Sequence, residues 1–200
     1  ITNQQIYCLK QPVNIHGNLT LGGPVSDGLV ALYVDRPGQS LNPLIIRTLN
    51  TGTNPPDTWP VEIIKVTTCS DWQCQGETDR FKVGTQKAYF KAIVKSNAST
   101  TLTPLLTMNI YDGNMVPLGT LFQTITLIPG SNASLTASNE IPNWAYTGNA
   151  IVYANVYTDW PSLGGTPYCP EVSHIFKITN HAEIASDNII PTTTSANGTY

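Results

Sequence analysis

Charged residues are scarce in this 200-residue sequence, and long apolar runs are absent from it. Charged side chains make up 12% of the chain, whereas globular domains usually contain roughly 25%. The ten lysines and arginines are scattered and the net charge is −3, which excludes electrostatic capture of nucleic acid. No stretch approaches the ~20 apolar residues of a membrane span. We therefore predict no nucleic-acid partner and no membrane-spanning segment.

The common catalytic motifs are also missing. The sequence contains no Gly-x-Ser-x-Gly, P-loop, Gly-x-Gly-x-x-Gly or His-Glu-x-x-His pattern. A Ser-His-Asp triad stays open because its members need not be adjacent in sequence, although the strand pattern around His174 favours a packed or edge histidine. Asp71, Glu77 and Asp79 could collect calcium, but acidic loops are more often simply solvated. We expect no enzyme activity, no metal and no cofactor besides N-linked glycans.

The four cysteines are Cys8, Cys69, Cys74 and Cys169. An even number is typical of disulfides in an exported protein, and four cysteines allow three connectivities. Cys69 and Cys74 bracket a short polar segment, so we expect a local Cys69–Cys74 bond. We expect a second bond between Cys8 and Cys169, either within one subunit or between two. The Cys-x4-Cys spacing disfavours a metal site, and free thiols are the other alternative.

Four Asn-x-Ser/Thr sequons occur, at Asn18, Asn97, Asn132 and Asn197. Each lies in a polar or turn-like context, as an N-glycosylation site requires. A chain this rich in Asn, Ser and Thr also carries sequons by chance. Because the cysteines independently indicate export, we expect an extracellular cell-surface glycoprotein. The start at Ile1, with no signal peptide, is read as that of a mature, processed product.

Two-residue alternation dominates the chain, and no segment shows a sustained helical period. Eight strand patterns are separated by Gly, Pro and Asn turns. They cover residues 30–34, 44–49, 61–67, 89–95, 106–110, 122–128, 151–158 and 172–179. In the fourth, Phe90, Ala92 and Val94 share one face. This spacing predicts an all-β fold, a sandwich of seven or eight antiparallel strands over residues 25–180.

Residues 1–24 are a separate N-terminal segment that ends in the hinge signal Gly-Gly-Pro. Polar and apolar residues alternate there, so that the apolar ones lie on one face of the predicted strand. These apolar residues are Val13, Ile15, Leu19 and Leu21. Such a strand needs an apolar slot, so we interpret it as a donor strand for a neighbouring subunit. The alternative is an ordinary first strand of its own domain. Residues 181–200 are predicted to be a polar C-terminal tail.

The tryptophans are expected in loops or at strand ends: Trp59, Trp72, Trp144 and Trp160. In such places they cap a sandwich core, anchor a protein interface or stack on sugars. We favour capping. The other two roles define an alternative function, that of a secreted carbohydrate- or protein-binding β-sandwich module.

Five segments carry a family resemblance: FKVG at 81–84, YFKAIVK at 89–95, LIPG at 127–130, TGNAIVYANV at 147–156 and YCPE at 168–171. Through them the chain, from about Val61 onward, resembles the Ig-like sandwich domains of archaeal surface proteins. With the alternating N-terminal segment and the low charge, the whole chain resembles the subunits of the archaeal thread, a glycosylated extracellular filament of thermoacidophilic archaea.

This resemblance implies an Ig-like or pilin-like β-sandwich with an extended N-terminal donor strand. It also implies that identical subunits join head-to-tail into a filament by donor-strand complementation. We carry the donor role only onto Val13, Ile15, Leu19 and Leu21. The implied function is structural, in adhesion or cell–cell contact. Residues 1–24 supply no long apolar helix, so we expect no type IV pilin.

Overall fold

The structure, a computed structural model, describes residues 28–35, 43–51, 58–84 and 87–180. Within these ranges, every regular element except one 3-10 turn, Pro161–Leu163, is a β-strand. The strands are β1 (Leu29–Val34), β2 (Ile45–Asn50), β3 (Val61–Cys69), β4 (Arg80–Lys82), β5 (Lys87–Ser96), β6 (Leu105–Tyr111), β7 (Pro117–Thr124), β8 (Asn132–Glu140), β9 (Gly148–Tyr157) and β10 (Val172–Thr179).

Two sheets pack against each other, so the predicted β-sandwich is confirmed. One sheet has the order β3-β5-β8 and the other the order β4-β10-β9-β6-β7. All neighbouring strands run antiparallel except β4 and β10, which run parallel. No helix in the described part of the chain is long and apolar enough to cross a membrane.

The main core lies between the two sheets and follows from the predicted alternation. Phe90, Ala92 and Val94 of β5 are fully buried, whereas the residues between them are partly exposed. Phe90 meets Phe176 of β10 edge-to-face, with ring centroids 5.4 Å apart. Edge-to-face pairs place the positive ring edge on the negative ring face, which adds to the hydrophobic gain. These contacts hold the three-stranded sheet on the five-stranded sheet.

A third layer covers the outer face of the five-stranded sheet, and the sequence did not indicate it. β1 and β2 form a separate antiparallel hairpin, and β2 lies against β6, β7 and β9. Because of this cover, every residue of β6 is buried, on both faces of the sheet. Ile46 of β2 packs with Leu105, Tyr157 and Trp160 in a second, smaller core.

Polar side chains fasten the hairpin to this sheet. Asn109 of β6 accepts a hydrogen bond from the Ile46 N–H at 3.2 Å and donates one to the Thr120 hydroxyl at 2.9 Å. Thr48 donates its hydroxyl to the Tyr157 hydroxyl at 3.0 Å, and burial raises the pKa of Tyr157. Buried polar groups need such partners because an unpaired group loses its hydration without compensation. These bonds therefore fix the position of β2 on the five-stranded sheet.

Several strand predictions need correction. The pattern at 122–128 was wrong in its bounds, because β7 covers Pro117–Thr124 and residues 125–128 follow it. β4 and β8 were not predicted, so the described residues hold ten strands rather than seven or eight. β8 was missed because its sequence, NASLTASNE, is polar; as an edge strand it buries only Leu135 fully. The remaining predicted strands lie within two or three residues of the observed ones.

Candidate functional site

Among the described residues, the outermost strands on one side of the sandwich each have one edge that pairs with no other strand. β7 ends the five-stranded sheet and β8 ends the three-stranded sheet, and the two strands lie near each other. We call this side the β7–β8 opening and define it by four apolar residues that pack against the main core while remaining only partly buried: Leu118, Leu121, Ala133 and Ala137. Free edges of this kind are templates for the addition of another strand.

A groove lies at the end of the three-stranded sheet where β3 begins and β5 ends. Its volume is about 650 Å³. Its lining residues come from three loops and two strands: Thr58, Trp59, Glu62, Lys95, Ser96, Asn97, Ala98 and Gly130. Sequence reasoning noted Trp59 and Asn97 separately but had no signal that placed them together, because 38 positions separate them.

Two predicted glycosylation sites lie near this end of the sheet. Asn97 directly follows β5 and Asn132 begins β8, opposite Lys95 in the strand register. Both asparagines are exposed, as a transferase would require. The other two predicted glycosylation sites, Asn18 and Asn197, lie outside the described residues. The donor residues Val13, Ile15, Leu19 and Leu21 also lie outside them.

The predicted local disulfide between Cys69 and Cys74 is present, with 5.1 Å between the two Cα atoms. Inside the loop that it closes, the Asp71 carboxylate accepts hydrogen bonds from the backbone N–H groups of Gln75 at 3.3 Å and Gly76 at 3.1 Å. Both bonds lower the pKa of Asp71, and the bond from Gln75 has the larger effect. The carboxylate and the disulfide thus fix the same turn.

Cys169 is buried in the main core, 2% exposed, and is bonded to no other described cysteine. Burial raises the pKa of its thiol to about 12, which keeps an unbonded thiol protonated and unreactive at neutral pH. Its predicted partner, Cys8, lies outside the described residues. The Cys8–Cys169 bond therefore stays a prediction.

The carboxylates considered for calcium each have a different partner. Asp71 binds the backbone of its own loop, Glu77 accepts a bond from Lys65 at 2.5 Å, and Asp79 contacts His174 at 2.9 Å. The Lys65 bond lowers the pKa of Glu77. Within the described ranges no three His, Cys, Asp or Glu side chains form a metal-binding group.

Thr68, His174 and Asp79 meet at the seam between β3 and β10. Asp79 Oδ1 lies 2.9 Å from His174 Nε2, and Thr68 Oγ1 lies 3.4 Å from the same nitrogen. A catalytic triad uses one ring nitrogen for the nucleophile and the other for the carboxylate. Here both groups compete for one nitrogen, so the cluster has the geometry of a structural contact. Of the two alternatives that the strand pattern left, a packed or an edge histidine, His174 is the packed one: its side chain is 25% exposed and β10 lies between β4 and β9.

The tryptophans divide into two groups. Trp160 is 8% exposed and belongs to the second core, and Trp59 packs against the main core, as predicted for capping residues. Trp72 and Trp144 are 66% and 61% exposed. Trp144 lies two residues before Tyr146, which is also exposed. These two exposed tryptophans do not cap either core.

Comparisons with known proteins assign no function. No family model and no curated protein matches the chain. The C-terminal domain of Wzt is 14% identical, with a TM-score of 0.49 over 72% of this chain and 86% of that chain. The alkylpurine DNA glycosylase AlkC of Pseudomonas fluorescens is 12% identical, with a TM-score of 0.42 over 60% of this chain. A β-glucosidase of Listeria innocua is 9% identical, with a TM-score of 0.40 over 60% of this chain.

The last two proteins are much longer than the region they share with this chain. The match covers 30% of the glycosylase and 16% of the β-glucosidase. All three TM-scores are too low to support an argument from one protein to the other.

Proposed function

We propose that this chain is a structural subunit of an extracellular, glycosylated filament that supports adhesion or cell–cell contact. Residues 13–21 of one subunit complete the sandwich of the next, head-to-tail. The observation that carries the proposal is the β7–β8 opening, where two strand edges that pair with no other described strand flank apolar side chains that are only partly buried. An added strand would supply backbone partners for a free edge and cover those side chains.

The donor segment has the pattern that this opening requires. β8 directs Ala133, Leu135 and Ala137 toward the core at two-residue spacing, and the donor's apolar residues alternate with the same period. Alanine is small, so it leaves room for a larger neighbouring side chain. Burying four large apolar side chains contributes about 6–12 kcal/mol. The loss of conformational entropy on ordering the donor opposes this gain, and the added main-chain hydrogen bonds help to offset it.

The two ends of such a contact differ, because the donor is an N-terminal segment and the acceptor is a sheet edge. A contact between unlike surfaces propagates instead of closing into a dimer. A filament is therefore the expected assembly. Purified full-length protein should form open-ended oligomers in size-exclusion chromatography with light scattering, and protein lacking residues 1–24 should be a monomer.

A pair of neighbouring substitutions tests the acceptor edge. Ala137 faces the core side of the opening, and Ser138, the next residue of β8, is exposed. Ala137→Glu places a charge where the donor's apolar face would lie, so we expect folded monomers. Ser138→Glu adds the same charge on the solvent side and should still polymerise. Polymers formed equally by both variants would exclude this edge as the acceptor, and equal melting temperatures with and without residues 1–24 would exclude the donor.

We propose no enzymatic role for the chain. The cluster that most resembles a triad, Thr68 with His174 and Asp79, presents one histidine nitrogen to both neighbours. This geometry provides no path for a proton from the hydroxyl through the ring to the carboxylate.

A secreted binding module is the second candidate, and one observation favours it. Trp144, Tyr146 and Met115 are 61%, 49% and 51% exposed, and the loops that carry them are joined where Tyr146 N–H binds Asp112 at 2.9 Å. Exposed aromatic residues on rigid loops suit sugars or protein partners. A binding module should stay monomeric and lose its affinity for a glycan array on Trp144→Ala. Filament formation unaffected by Trp144→Ala would favour the structural role.

A further inference from the structure

The groove described above holds one of the predicted glycosylation sites in its wall. Asn97 lines it together with Trp59, and the Asn97 side-chain amide donates a hydrogen bond to the Trp59 carbonyl oxygen at 3.2 Å. The Asn97 backbone N–H donates a second bond to Pro60 O at 2.9 Å. Both the backbone and the side chain of Asn97 are therefore oriented by the segment that forms the opposite wall.

The bond to Trp59 leaves room for chemistry at the same nitrogen. A primary amide nitrogen carries two hydrogens, and N-glycosylation replaces only one of them. The remaining N–H can keep the bond to the Trp59 carbonyl. With that bond fixed, rotation of the modified side chain is restricted, and the first sugar must leave Asn97 from a defined direction beside the groove.

The walls of the groove combine the groups that a sugar requires. Trp59 supplies an aromatic surface, and Glu62 and Lys95 supply charged polar groups. Ser96, 1% exposed, has a hydroxyl oxygen that bonds to nothing in the described part of the chain. The volume of about 650 Å³ falls in the range of about 300–1,000 Å³ that is typical of small-molecule sites. Such sites combine apolar walls with a few polar groups.

We propose that this groove receives the first sugars of an N-linked glycan attached to Asn97, which pack against Trp59. The attachment is a group transfer from a lipid-linked oligosaccharide phosphate. The bond between sugar C1 and the phosphate oxygen breaks, a bond between C1 and Asn97 Nδ2 forms, the lipid phosphate leaves and one amide proton is lost. The glycan then covers the end of the main core instead of projecting freely into solvent.

The second described sequon is a matched control within the same chain. Asn132 has the same Asn-Ala-Ser sequence and is exposed, but it does not line the groove. Ser99→Ala removes the Asn97 sequon and keeps the Asn97 side chain, and Ser134→Ala does the same for Asn132. Asn97 and the groove belong to one subunit, so packing of the glycan does not depend on filament formation.

The experiment uses the full chain from an N-glycosylating host. Glycopeptide mass spectrometry should find Asn97 modified. An endoglycosidase acting on the native protein should release the Asn97 glycan about tenfold more slowly than the Asn132 glycan, a factor that corresponds to ~1.4 kcal/mol. The difference should vanish in denaturant. Ser99→Ala should lower the melting temperature by about 2–4 °C, and Ser134→Ala should not.

Trp59→Ala should abolish the difference in release rates. Trp59→Phe keeps an aromatic ring in the wall of the groove and should retain part of that difference. The phenylalanine variant keeps the test valid if the alanine variant does not fold. An unmodified Asn97 would overturn the site. Equal release from Asn97 and Asn132 in the native wild-type protein would overturn the packing, as would protection that persists unchanged in Trp59→Ala, because protection would then come from another surface.

Discussion

Arg47 and Glu171 form a two-pronged ion pair that joins the outer hairpin to the segment before β10. Arg47 Nε donates to Glu171 Oε2 at 2.8 Å and Arg47 Nη2 donates to Glu171 Oε1. The guanidinium also lies over the Tyr153 ring, 3.3 Å from its centroid. Two parallel bonds fix orientation as well as distance, so this pair sets where β2 lies on the five-stranded sheet.

Breaking this pair should destabilise the protein. Both side chains are mostly buried, 19% and 17% exposed, so Glu171→Gln leaves a poorly hydrated arginine without its counter-charge. We expect a loss of about 1.5–3 kcal/mol in unfolding free energy, the range for hydrogen bonds to charged groups. Urea unfolding measures it. Glu140→Gln, on an exposed position of β8, is the control. Equal effects of the two substitutions would show that the ion pair contributes nothing.

Asp112 should be the most sensitive loop carboxylate. It is fully buried, and its Oδ1 accepts bonds from the Asn114 and Val116 N–H groups while its Oδ2 accepts one from Tyr146 N–H. Asp112→Ala removes the carboxylate that accepts from all three N–H groups. Each buried donor left unpaired costs about 1–3 kcal/mol in unfolding free energy. Asp112→Asn retains one oxygen and should cost less than Asp112→Ala. In thermal unfolding, the alanine variant should have a lower melting temperature than the asparagine variant. Identical melting temperatures for the two variants would contradict these contacts.

The disulfide loop should keep its order under acid. Because hydrogen bonds from the Gln75 and Gly76 backbone hold the folded pKa of Asp71 below the ordinary aspartate value of 3.8, its contribution is fully present above that value and is lost only as the pH falls through the lower folded pKa. Amide hydrogen exchange at Gln75 and Gly76, followed as the pH is lowered, measures this, with the intrinsic pH dependence of exchange subtracted. Protection should persist through pH 4 and fall below it. In Asp71→Asn that step should disappear; an unchanged step would assign it to another group.

The buried and exposed phenylalanines should respond differently to truncation. Phe90 is fully buried between Phe81 and Phe176, so Phe90→Ala should cost about 3–5 kcal/mol. Phe122 is 46% exposed and packs edge-to-face on Trp160 with centroids 4.8 Å apart. Losing one such aromatic pair costs about 0.5–1.5 kcal/mol. Chemical denaturation of both variants compares them. A Phe122→Ala cost equal to that of Phe90→Ala would mean that the second core stabilises as much as the first.

The features predicted correctly from sequence share a local cause. β5 was found because its buried apolar residues alternate with more exposed ones along the strand, which is the strand period itself. The Cys69–Cys74 bond was found because five positions separate the two residues. β8 was not predicted because an edge strand needs few apolar residues. The bounds of β7 were predicted too late in the sequence because its polar end, Gln123 and Thr124, resembles the middle of a strand.

The candidate sites were less accessible to sequence reasoning. The sequon at Asn97 is recognised from three consecutive residues. Its groove also requires Trp59, which lies 38 positions earlier in the sequence. The acceptor role proposed for the β7–β8 opening depends on which strands end their sheets, and strand order follows from long-range pairing that no local pattern records.

By itself the sequence determined the all-β class, most strands and the local disulfide, because each depends on the identity and spacing of neighbouring residues. Only the tertiary structure decided that the β1–β2 hairpin forms a third layer, which strands lie at the edges, and which asparagine shares a groove with a tryptophan. Those features depend on contacts between distant segments, such as Arg47 with Glu171 across 124 positions. Such contacts form only where packing and charge pairing outweigh the chain entropy lost on closing the intervening loop.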